Sequence, residues 1–229
     1  LIRGTNAIDP LPDAPVPPGL DWDRWLGPAP KVPYNPQRCH VTFRWVWDYS
    51  GGQITDLGTH HADIAQWALD MDRSGPRKIE GQASTRPGAY ETYTDYDIRL
   101  TYENGVVLSF ESKPDFDMIF EGEKGEIFVN RSVIKSTPED ILKEPLSGND
   151  IRLPVSENHM QNWADCIRSR SLPLTDAETG HRSATVCHLA NIFGMIQRPL
   201  EWDPVQEVFV NDTEANHYLK RPQREPYAV

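Results

Sequence analysis

Between residues 78 and 136, apolar and polar positions alternate with the period of a strand that buries one face. The segments 78–86, 94–103, 105–113, 116–121, 126–130 and 132–136 carry this alternating or β-rich pattern. Glu103-Asn104-Gly105 and Gly122-Glu123-Lys124-Gly125 separate neighbouring segments. Asn-Gly between two such runs signals a hairpin, because both residues tolerate positive φ. The pattern predicts a sheet of six or more strands, largely antiparallel. Upstream, residues 40–47 (His-Val-Thr-Phe-Arg-Trp-Val-Trp) are β-branched and aromatic and predict a further strand. On that strand Trp45 and Trp47 would share the face opposite Arg44.

Elsewhere the period lengthens to that of a helix. Leu57, Ile64, Ala65, Ala68 and Leu69 form an apolar stripe over 54–69, with Thr55 or Asp56 as its cap. Residues 138–143 predict a short helix. A helix capped by Ser156, with His159 at its third position, runs to about Ser169. A longer one follows a Thr175 or Asp176 cap and ends at Ile196, before Pro199. A short strand and one helical turn near 214–219 complete the chain. Together these elements predict an α+β fold: a large open, mostly antiparallel or mixed β-sheet with helices on one face. Residues 1–37 are rich in Pro, Asp and Gly and predict an extended arm with one helical turn, pinned by Trp22 and Trp25. Residues 38–229 then form a single α/β substrate-binding and oligomerisation domain.

Composition narrows the partners. The 229 residues are 38% hydrophobic and 25% charged, which suits a globular core formed without disulfide or metal staples. A net charge of −11 argues against nucleic acid and anionic membrane, both of which repel an acidic surface. Cys39, Cys166 and Cys187 show no CxxC spacing, and no run approaches the roughly 20 apolar residues of a membrane helix. The chain opens at Leu1 without Met, so a preceding segment is expected. Cytoplasmic and periplasmic settings both stay open.

The segment Gly51-Gly52-Gln53-Ile54-Thr55-Asp56-Leu57-Gly58-Thr59-His60-His61-Ala62-Asp63 carries the candidate chemistry. Asp56, His60 and Asp63 fall at i, i+4 and i+7, on one helical face. A carboxylate beside an imidazole fixes its tautomer and favours proton exchange near neutral pH. The glycines allow close approach of a ligand or a neighbouring helix. A solvated polar face explains the same spacing equally well. Metal ligation by Asp56 and His60 is a third reading, weakened by the lack of an HExxH pattern or a second ligand cluster. Arg44 has the planar fork that holds a carboxylate or phosphate, and an ordinary salt bridge fits it as well. His159, near a helix start, is a candidate ligand contact.

The segment GGQITDLGTHHADIAQWAL resembles the G-G-x-x-x-D-x-G-x-H-x-x-D signature of the C-terminal domain of Gfo/Idh/MocA oxidoreductases. PPGLDWDRWLGPAP, PYNPQRCHVTFRWVWDYSGG and NHMQNWADCIRSRSLPLTDAETGHRSATVCHLANI extend the likeness over nearly the whole chain, toward a bacterial subgroup. The resemblance implies a dihydrodipicolinate-reductase-like sheet domain. One of its faces receives substrate and nicotinamide, and the other packs on a partner subunit as a homo-oligomer. It implies that His60 takes a proton from a sugar hydroxyl as hydride leaves for NAD or NADP. It also implies that Asp56 orients substrate and imidazole, and that Asp63 matches the third motif position, where a structural role is favoured; Asp63, Arg44 and His159 are the candidate substrate-binding positions. The chain departs from the family in having no GxGxxG and no Glu-Lys-Pro motif, so a dinucleotide would need a Rossmann domain that these residues do not contain. Three readings stay open: the catalytic-domain portion of a sugar, polyol or glycoside dehydrogenase, a nicotinamide-independent enzyme acting on keto-sugars with or without a metal, or a non-catalytic binding and oligomerisation subunit.

Overall fold

The computed structural model describes residues 11–86, 91–112, 118–130, 132–148, 150 and 152–228. Helix α1 (Trp22–Leu26) and 3-10 turns at Pro36–Arg38 and His40–Trp45 lead into α2 (Gly52–Thr55) and α3 (Leu57–Ala68). Strands β1 (Lys78–Ser84), β2 (Asp95–Thr101), β3 (Val107–Glu111), β4 (Met118–Gly122), β5 (Gly125–Val129) and β6 (Ile134–Thr137) follow. After a 3-10 turn at Glu139–Lys143 come α4 (His159–Ser169), α5 (Ala177–Ile196), β7 (Leu200–Asp203), β8 (Val208–Phe209) and α6 (Thr213–His217). The fold is α+β, with antiparallel sheets and helices. Residues 113 and 116–117, at the edges of two expected strands, lie outside the described residues, as do residues 1–10 of the arm.

The strands divide between two sheets instead of forming one continuous sheet. One has the order β3-β2-β1-β7-β8, the other β4-β5-β6. Register follows the alternation: Ile79 pairs with Leu100, Gly81 with Ile98, and Ile98 in turn with Phe110. Ile79, Ile98, Leu100 and Phe110 are buried and join Val186, Leu189, Ala190 and Phe193 of α5 in the main core. Asp176 caps α5, accepting from Thr179 N at 2.9 Å, while the Arg73 guanidinium holds its carboxyl well below the usual range. Cys187 is buried in this core, and burial pushes its thiol up to about 12.

The arm packs by aromatic contact. Trp22 stacks on Trp25 at 4.6 Å between ring centroids and meets Tyr34 edge-on at 5.2 Å. The C-terminal tail returns to it: Arg224 donates to Ala29 O and Asp23 O, and Tyr227 Oη donates to Asp23 at 2.9 Å.

Three expectations need correction. Residues 40–45 form a 3-10 helix, not a strand. β propensity describes fit to a half-buried pleated surface, and among the described residues no strand pairs with this segment to supply one. The Thr42 hydroxyl instead donates to Cys39 O, and Val46 N donates to Phe43 O. Trp45 and Trp47 therefore share no sheet face: Trp45 is buried, whereas Trp47 Nε1 donates to Glu91 O. Helix α4 is capped by Asn158, not Ser156, which places His159 at the first helical position. The outward face of β1–β3 carries Lys78–Glu80 and Arg99–Asp97 pairs. Exposed apolar side chains lie on α4 (Met160, Trp163, Ile167) and on the β4–β6 sheet (Ile119, Ile134). Among the described residues no helix is long and apolar enough to cross a membrane.

A buried polar lock ties α3 to β2. Tyr102 Oη donates to Gln66 Oε1 at 2.5 Å, and Gln66 Nε2 donates to Met71 O and Ser74 O in the turn that follows α3. Burial pushes the Tyr102 phenol well above its ordinary pKa, so it remains a donor. Tyr102→Phe leaves the buried amide oxygen unpaired and should lower stability by about 1–2 kcal/mol in urea unfolding. An unchanged midpoint would mean the bond is not formed.

Candidate functional site

The site begins at a tight turn. Gly52 has φ +70°, in the left-handed region. A Cβ on Gly51 would meet Asn191 Nδ2 at 2.6 Å, and one on Gly52 would meet Thr92 Cβ at 2.5 Å. The glycine pair thus admits the side chains of Asn191 on α5 and of Thr92, which favours the neighbouring-helix explanation of the motif. Asn191, itself buried, donates to Gly51 O at 2.8 Å and anchors the start of α2. Asn191 and Thr92 escaped the sequence reading. A lone amide amid the apolar residues of His-Leu-Ala-Asn-Ile-Phe was the available signal.

Helix α2 lasts one turn. Asp56 N donates to Gly52 O at 3.0 Å, and the backbone then breaks at Asp56 (φ −81°, ψ −83°) before α3 resumes at Leu57. Asp56 occupies the N-cap position of α3, yet its side chain makes no capping hydrogen bond. Its carboxylate faces Arg44 instead, with Nε 3.1 Å from Oδ2. Both side chains are partly exposed, at 32% for Arg44 and 27% for Asp56, so the pair adds at most about 1 kcal/mol to stability.

His60 is exposed one turn further along α3 and has no hydrogen-bond or ion-pair partner among the described residues. Asp63 accepts from Ser183 Oγ at 2.7 Å, tying α3 to α5. His159 is exposed at the start of α4, and no hydrogen bond or ion pair links it to Asp56, His60 or Arg44 among the described residues. The structure therefore joins Arg44 to Asp56 at the helix break, leaves His60 exposed four residues on in α3, and gives Asp63 a packing partner. No group of three His, Cys, Asp or Glu side chains converges as metal ligands would among the described residues. The Asp56 carboxylate is held by Arg44, and both it and the exposed His60 side chain are reachable from solvent.

The model of the Gfo/Idh/MocA oxidoreductase family's C-terminal alpha/beta domain matches residues 5–229. The chain belongs to this family. Its fold is similar to that of the Caulobacter crescentus aldose-aldose oxidoreductase solved with glycerol. That match has a TM-score of 0.52 and 14% identity over 70% of this chain and 51% of the other. It is similar as well to the WlbA dehydrogenase of Chromobacterium violaceum solved with NADH and UDP-GlcNAcA. There the TM-score is 0.50 and the identity 16%, over 74% of this chain and 52% of the other. The Gfo/Idh/MocA chain described here thus spans about half the length of these solved structures. At such identities the likeness is one of fold. No curated protein matches the chain.

Proposed function

We propose that this chain is the substrate-side, catalytic part of an NAD(P)-dependent oxidoreductase acting on a sugar, polyol or glycoside. The observation that carries the reading is the placement of Asp56 and His60. The family motif seats a carboxylate at the helix break and an unpartnered imidazole one turn later, both accessible from outside. In this reading His60 accepts the proton of a substrate hydroxyl, and Asp56 holds the local charge and orients the hydroxyl toward the ring. Solved relatives of about twice the length that handle aldoses, or hold NADH with a sugar nucleotide, support the substrate and cofactor classes.

The residues of this chain do not fit the dinucleotide itself. No Gly-rich strand-to-helix turn of the GxGxxG type is present, so nothing here makes the usual pyrophosphate cradle. We assign the nicotinamide to a Rossmann domain outside these residues and derive no hydride step from this chain. Division into an arm (1–37) and a single substrate domain (38–229), and assembly into a homo-oligomer, belong to the same proposal.

The test is direct. The longer polypeptide that carries this chain, supplied with NAD or NADP and a panel of aldoses, polyols and glycosides, should reduce the cofactor with at least one of them. No reduction across the panel, from a folded protein shown to bind NAD(P)H, would set the reading aside in favour of a non-catalytic subunit.

A further inference from the structure

We infer that the apolar stripe of α4 is the surface on which the nucleotide-binding half of the full polypeptide docks. A surface helix ordinarily turns its apolar side chains inward and its polar ones to water. Helix α4 does the reverse. Met160, Trp163 and Ile167, at i, i+3 and i+7, are 66%, 54% and 48% exposed, and none of the helix's residues is buried. Asn162, a polar residue of the same helix, is better covered than any of the three.

A different side of α4 is tied to its own domain. Asn162 Oδ1 accepts from Leu174 N at 3.0 Å, and Cys166 Sγ donates to Leu172 O at 3.3 Å. At about 100° per residue, Asn162 and Cys166 share one side of the helix, and the stripe projects roughly a third of a turn round from it. The apolar residues therefore point away from the segment that holds the helix. Exposed Val155 and Leu172, in the stretches before and after α4, extend the uncovered apolar surface. A contiguous patch of this kind marks an interaction site.

Size and tethering identify the occupant. A helix of 11 residues is about 16 Å long and about 10 Å across, so one face presents roughly 200 Å². A stable dimer of separate chains buries about 800 Å² on each partner, so the stripe alone is too small to recruit a second copy from solution. A domain joined by a short linker meets it at an effective concentration in the millimolar range, where a small apolar contact is enough. The chain matches a C-terminal domain and spans 51% and 52% of the solved proteins it resembles in fold. A tethered neighbour of about equal length fits both the area and that ratio. Naming it the nucleotide-binding half rests on the proposed function; the exposure of the stripe does not.

Photo-cross-linking in the full polypeptide tests the docking without reference to activity. Trp163→p-benzoylphenylalanine puts the reactive ketone in the middle of the stripe. Irradiation should give an intramolecular cross-link, mapped by mass spectrometry to a peptide of the NAD(P)-binding half, in a yield independent of protein concentration. A cross-link to a second copy, to any other domain or within residues 1–229, or no cross-link at all, would overturn the proposal. Trp163→Asp should also raise the rate at which a protease separates the two halves by about 30-fold, the effect of losing a central interface tryptophan. Asp165→Asn, on the opposite side of α4, should leave that rate unchanged. Equal rates for Trp163→Asp and wild type, or equal increases in both variants, would count against docking through the stripe. The two readings fail separately. A correctly placed cross-link in a protein that binds NAD(P)H but oxidises no substrate leaves the docking in place and removes the oxidoreductase reading. Substrate oxidation by a protein whose cross-link maps elsewhere does the opposite.

Discussion

Under the proposed function, replacing His60 with Ala is expected to lower turnover of the full polypeptide by about 100-fold or more, the size of effect general-base catalysis supplies. The protein should unfold at the wild-type temperature. His60 is exposed and makes no hydrogen bond or ion pair among the described residues, so its removal opens no cavity and orphans no buried group. That combination separates chemistry from folding. A loss of turnover matched by a fall in Tm would point to damage of α3, whereas full activity would remove the imidazole from the mechanism. Asp63→Ala, which removes the acceptor, provides the contrast on the same helix. Asp63 accepts from Ser183 across α3 and α5, so its substitution should register in stability before it registers in rate. Steady-state kcat and KM with NAD(P), measured beside a melting curve for each variant, check both.

Much of the fold was legible because local signals and packing agree. Strands β1–β6 fall within about two residues of the alternating segments, and Gly105 supplies the positive φ of the Glu103-Asn104-Gly105 turn. Helix α5 was readable from its Asp176 cap and its length. Agreement ends where long-range packing decides. Residues 40–47 have strand composition, yet no neighbouring strand pairs with them, and the 3-10 turn satisfies the backbone locally. The break at Asp56 left no trace in the sequence, since the apolar stripe from Ile54 to Leu69 runs through it. A single residue's ψ separates α2 from α3. Arg44 and Asp56 were each singled out as candidates, but their contact depends on the 3-10 turn and the helix break together, neither of which spacing reveals. The division of the strands into two sheets is likewise a matter of edges, which hydrophobic period cannot report.

The Gly-Gly turn sets both the position of Asp56 and the largest expected stability loss. Gly52→Ala should destabilise the fold by about 3 kcal/mol, from two contributions of similar size. An L-residue at φ +70° carries a left-handed backbone cost of about 1–2 kcal/mol. The added methyl must also displace Thr92, whose Cβ lies 2.5 Å from where it would sit, and overpacking of that kind costs about 1–3 kcal/mol. Thr92 has little room to yield, being 2% exposed. For a domain of this size the change corresponds to a fall in Tm of roughly 6–12 °C. Because Asp56 N donates to Gly52 O, strain at Gly52 also reaches the helix break that presents the carboxylate. Turnover measured well below the lowered Tm should therefore fall as well. A Gly52→Ala protein that melts with the wild type would show that the turn is not built as described, and with it the outward placement of Asp56.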